Sequence, residues 1–133
     1  MRELSHRITG VTPEALRRLA LALPETCEAP HFERTSFRTR GKIFATLARD
    51  GREAMVKLPD PEEAEELIAA SPETYFSHGA WTTQSGALGV RLAKIDTARM
   101  RQLVTAAWKS LATQRALAAF AGAAKPRRRP LAE

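Results

Sequence analysis

The sequence predicts an α+β domain in which an antiparallel sheet is packed on one face by N- and C-terminal helices. Three stretches carry that reading: a capped amphipathic segment from Thr12, an alternating segment over 36–58 that folds back at Asp50-Gly51, and a helical-period segment after Asp96. At 133 residues, 44% of them apolar, the chain fits one core.

The first helix is predicted from Thr12 as N-cap and Pro13 at the first helical position, where a missing N–H leaves no bond unmade. Val11 and Leu16 are spaced as a hydrophobic staple. Leu16, Leu19, Ala20 and Leu23 fall on one face, and Pro24 limits the helix.

After a connector, PETCEAPHFER, the strand signals begin. Asp50-Gly51 is a two-residue hairpin signal, and pairing outward sets Arg49 opposite Arg52, Leu47 opposite Ala54, Ala45 opposite Val56 and Ile43 opposite Leu58. With Phe37, Ile43, Ala45, Val56 and Leu58 inward, alternation turns Arg38, Arg40, Phe44, Met55 and Lys57 to the outer face. The earlier turn lies at Arg40-Gly41-Lys42. A two-residue loop there sets Arg38 opposite Ile43 and buries its charge, so the expectation is a three-residue loop or an equivalent bulge, with Phe37 opposite Ala45 and Thr39 opposite Ile43.

Asp60-Pro61-Glu62-Glu63 opens a second helix with Asp60 as N-cap, and helix chemistry accounts for most of its carboxylates. Tyr75-Phe76 and Val90-Arg91-Leu92 read as short strands joined by a flexible hairpin. Asp96 caps the last helix, along which Met100, Leu103, Val104, Ala107, Trp108 and Leu111 follow the helical period. Past about Ala118 the pattern fades, which divides the chain into a domain over 1–120 and a basic, disordered tail over 121–133.

The formal net charge is +6, and it is unevenly placed. Residues 34–57 carry Arg34, Arg38, Arg40, Lys42, Arg49, Arg52 and Lys57 against Asp50 and Glu53, whereas 60–73 hold six carboxylates and no cation. A local positive field concentrates polyanions. Cys27 stands alone, so no internal disulfide forms, and a reducing compartment is expected. The segment MRELSHRITGVTPEALRRL has no uninterrupted apolar core, and no apolar run reaches the ~20 residues that span a bilayer. The expected location is cytoplasmic, with no membrane partner.

Two readings of the basic hairpin stand side by side. Cations interleaved with Phe44 could replace phosphate counterions and stack a base, or the ring could be covered while the charges keep an open sheet soluble. Trp108 is expected in the core; Trp81, in a polar segment, either packs as a lid or presents its ring. Cys27, His31, His78 and His6 lack metal-ligand spacing, RTRGKIF is no phosphate-binding loop, and no nucleophile elbow is present. Neither catalysis, a metal nor a cofactor is expected. Lys125, Arg127, Arg128 and Arg129 form a basic run suited to a tethered arm or a solubilising end.

The words LALPETCEAPHFERTSFRTRGKIFATL, then MVKL before an acidic helix, then YFSHGAW and VRL, together resemble the MmcQ/YjbR family. The resemblance runs from about Leu19 to Arg115, and GKIFA with His78 and Trp81 are its most specific parts. It implies a frataxin-like (CyaY-like) fold and a DNA-binding protein with two β-hairpin segments acting as a double wing. The first wing would run from Phe37 to Lys42 and on to Lys57, and the second from Trp81 to Arg91. Frataxin-like iron binding is disfavoured, because Arg17 and Arg18 stand where such a ridge needs carboxylates. The expected activity is weak or nonspecific DNA binding, mainly to phosphate, through Arg38, Arg40, Lys42, Phe44, Arg49, Arg52, Lys57, Trp81 and Arg91. The alternative is a protein-interaction or small-ligand module, without a nucleic-acid role, in a groove between sheet and terminal helices near Trp81 and His78.

Overall fold

The computed structural model describes residues 10–124, so His6 and the basic run from Lys125 lie outside the described residues. Helix α1 spans Pro13–Leu21, and the Thr12 hydroxyl accepts the Ala15 N–H at 3.0 Å, as the capping pattern predicts. Strands β1 (Thr26–His31), β2 (Arg34–Thr39), β3 (Lys42–Leu47) and β4 (Glu53–Lys57) follow as a meander. Helix α2 (Pro61–Ala70) is capped by the Asp60 carboxylate, which accepts the Glu62 N–H at 3.0 Å. Strand β5 (Tyr75–Ser77), helix α3 (Ala80–Ser85) and strand β6 (Ala87–Arg91) lead through a 3₁₀ turn to α4 (Thr97–Lys109) and α5 (Gln114–Ala124).

The six strands form one antiparallel sheet in the order β1-β2-β3-β4-β6-β5. Its inner face carries Phe37, Ala45, Val56 and Leu88 in one cross-strand row and Leu47, Ala54, Val90 and Tyr75 in the next. Leu16 and Ala20 of α1 and Met100, Val104 and Trp108 of α4 complete the core with them. The Trp108 indole N–H donates to the Pro24 carbonyl at 3.1 Å, so this buried ring leaves no donor unmet. Among the described residues, no helix is long and apolar enough to cross a membrane.

Register around Asp50-Gly51 follows the sequence reading, with Ala45 opposite Val56 and Leu47 opposite Ala54. The earlier turn keeps the expected bulge and the Phe37–Ala45 pairing but not the three-residue loop. Arg40 (φ 56°) and Gly41 (φ 74°) both adopt left-handed backbone, so Thr39 and Lys42 close a two-residue loop and Arg38 faces Ile43. A bulge then restores Phe37 to Ala45. The extra residue reverses the expected alternation: Phe44 joins the core at 0% exposure, while Ile43 is only half-buried. Phe44 is therefore a core residue, not an exposed ring on the outer face.

Three further segments depart from expectation. The connector PETCEAPHFER contains strand β1, whose Pro30 is tolerated because the strand lies at the sheet edge. The segment expected as a flexible hairpin holds helix α3 between two paired strands, so Trp81–Arg91 is not a hairpin wing. The boundary set at 120 falls inside α5, which runs to Ala124. Phe120 packs on the Trp108 ring at 5.3 Å and anchors an alanine-rich turn that forms helix readily.

Candidate functional site

On the outer face of the sheet Ser36, Thr46, Met55 and Gly89 form one row ending at Phe76 on β5. Long cationic side chains lie across that floor. Arg34 Nε donates to Thr46 Oγ1 at 2.9 Å, and Arg38 Nε to Ser36 Oγ at 2.8 Å. Each buried hydroxyl is satisfied by a guanidinium that keeps other N–H donors in its fork. Lys57, half-buried, stands opposite Ala87 on the same face.

The β5 side of this face is aromatic. The Phe76 ring lies directly on Gly89, where an added Cβ would overlap it, and the Arg91 guanidinium stacks 4.8 Å from the ring centroid. Arg91 also donates to the Pro72 carbonyl at 3.1 Å. His78 and Trp81 meet edge to face at 6.0 Å, and Trp81 is 49% exposed at the start of α3. The His78 N–H donates to Thr82 Oγ1 at 2.6 Å, and that hydroxyl donates to the Ala87 carbonyl. Burial holds the His78 imidazole below its ordinary pKa; the Arg34 charge adds to the effect and Glu53 opposes it. Its Nε2 is buried and has no hydrogen-bond partner among the described residues. The His78 ring also meets Phe76 at 5.5 Å, which ties His78 and Trp81 to the outer-face row and not to a groove beside the terminal helices.

The nine residues expected to form one surface fall into four places. Arg38, Lys57 and Arg91 share the outer face, with Trp81 at its margin. Arg40 and Lys42 sit at the β2–β3 turn, and Arg49 and Arg52 at the β3–β4 turn, the two turns separated by the length of β3, about 17 Å. Arg40 is partly committed, donating to the Leu111 carbonyl past the end of α4 at 3.1 Å. Phe44 is withdrawn into the core. Among the described residues, the ion pairs are Arg17 with Glu14 and Glu28, and Arg115 with Glu25; none involves the cations of the outer face or of the two turns.

Sequence reasoning missed Arg34, Phe76 and Phe32. Arg34 and Phe76 follow from period-two spacing once register is known, since each shares a face with Thr46 and Gly89. Phe32, 93% exposed in the β1–β2 turn, was hidden because β1 itself was unread.

An open-faced antiparallel sheet, backed by helices on one side and cationic on the other, defines the class to which this chain belongs. The YjbR family model matches residues 21–110, more than half of the chain, and the protein belongs to that family. The fold is similar to that of the Deinococcus radiodurans protein DR2400, which carries the family-model domain DUF419. That likeness has a TM-score of 0.64 at 20% identity, covering 85% of this chain and 89% of the other. No curated protein matches the chain.

Proposed function

We propose that this YjbR-family protein is a non-catalytic DNA-binding protein that holds phosphate on the outer face of its sheet. The reading rests on one observation: Arg34, Arg38, Lys57 and Arg91 share that face, and none is paired with a carboxylate among the described residues. Guanidinium groups already pinned to Ser36 and Thr46 lose little further freedom when a phosphate engages their remaining donors. Trp81, at the margin, offers a ring to an unpaired base. Arg49 and Arg52 at one end and Lys42 at the other extend the field along the strand axis. Binding of this kind is weak and indifferent to sequence, because phosphate contacts position a strand without reading it.

Fluorescence anisotropy with a labelled oligonucleotide tests the reading. Charge reversal in R38E/K57E is expected to weaken binding at least tenfold, since each lost phosphate contact is compounded by repulsion. Wild-type affinity in that variant contradicts the proposal.

A further inference from the structure

Among the described residues, three other than glycine adopt positive φ: Glu25, Phe32 and Arg40. For two of them the side chain is fastened. Glu25 pairs with Arg115 and accepts the Thr113 hydroxyl, and Arg40 reaches the Leu111 carbonyl. Phe32 has no such compensation among the described residues: at φ 58° its ring is 93% exposed, with the His31 ring edge-on at 4.8 Å. A bulky residue in left-handed backbone is strained, and a bare phenyl ring in water gains nothing from burial. Strain retained at an exposed aromatic points to use of that ring.

Its setting says for what. His31 and Arg34 close the turn that carries Phe32, and antiparallel order brings this turn to the same end of the sheet as the β3–β4 turn. Between the two turns lies a groove of about 590 Å³, with Phe32 on one wall and Arg34 and Arg49 among its other lining residues. Of the other charges lining it, Arg17 is held by Glu28, and two carboxylates face Arg34 and Arg49: Glu33, and Asp50, which accepts the Arg52 backbone N–H.

We propose that Phe32 is a base-stacking residue: the tip of the β1–β2 turn stacks an unpaired nucleobase on this ring while the adjoining phosphate enters the groove beside Arg34 and Arg49. The inference rests on the phosphate reading of the outer face and assigns the base contact, and hence single-stranded nucleic acid, to a specific turn.

The test compares F32A, F32W and F32G with wild type for binding a labelled single-stranded oligothymidine across a salt series, with thermal melts alongside. F32A and F32G are expected to bind about tenfold more weakly, F32W to bind as wild type, and all to keep the wild-type salt slope, because stacking carries no counterion release. F32G is also expected to melt higher, since glycine relieves the positive φ. Affinity and stability moving in opposite directions separate a functional ring from a structural one. F32A binding within about twofold of wild type, with the salt slope intact, overturns the stacking role and leaves the phosphate reading standing. A wild-type protein that binds no nucleic acid overturns both.

Discussion

Phe44 and Gly86 show how single positions decide what the outer face can be. Phe44 reads as an interface ring by alternation, yet the bulge beside it turns the side chain into the core. Phe44→Ala is accordingly expected to cost about 3–5 kcal/mol in urea unfolding, the range for an emptied aromatic site, whereas an exposed ring would cost little. Gly86 ends α3 at φ 82°, and a Cβ there would overlap the Leu58 carbonyl oxygen. Gly86→Ala is expected to destabilise by about 2 kcal/mol or more, because left-handed strain and overpacking add. His78 supplies a pH dependence. Its pKa is lowered in the folded state, so the unfolded chain binds the extra proton first. The stability that His78 contributes is present above its ordinary value of 6.5 and falls as pH drops through the folded pKa. Thermal melts between pH 7.5 and 5.5 check this: wild type is expected to lose more stability over that interval than His78→Gln, and equal losses contradict it.

Helix starts were legible because their signals are local. Thr12, Asp60 and Asp96 each cap the helix that follows, and the Asp96 carboxylate accepts the Arg99 N–H at 2.7 Å. Asp96→Ala is expected to cost about 1 kcal/mol, measured by denaturant midpoint, and α4 is the helix where such fraying reaches the core through Met100. The hairpin around Asp50-Gly51 was legible in its register, but its loop is longer than the two residues expected: the Ala48 N–H donates to the Glu53 carbonyl and the Gly51 N–H to the Ala48 carbonyl, so residues 49–52 form the loop, with Gly51 at positive φ. At the other turn the bulge and the Phe37–Ala45 pairing hold, while the loop has two residues, because facing Ile43 does not bury the Arg38 charge. In the fold, Arg38 opposes Ile43 on the outer side, where Ser36 and the Pro30 carbonyl accept its N–H groups. Strand β1, TCEAPH, shows neither alternation nor β-branched enrichment and exists only through pairing with β2. Helix α3 lies between Gly79 and Gly86, whose turn-like character outweighs a sequence of weak helix formers.

Across the molecule, helices cover the apolar face of the sheet, while on the other no cation is paired with a carboxylate among the described residues. The sequence located that charge on one segment but not its distribution, which depends on strand order. Antiparallel neighbours send alternate turns to opposite ends, so Arg40 and Lys42 part from Arg49 and Arg52. The outer face keeps Arg38, Lys57 and Arg91 of the expected set and gains Arg34. Family membership accounts for the fold, and the arrangement of charge carries the functional reading. The most direct measurement is the dependence of oligonucleotide affinity on salt for wild type and for R34A/R38A/K57A. A face that releases about three or four counterions from single-stranded DNA gives a log–log slope of about −2 to −3, and the triple variant, which leaves Arg91, is expected to reduce it to about −0.7. A wild-type affinity that does not change with salt, or a slope the triple variant leaves untouched, contradicts phosphate binding on this face.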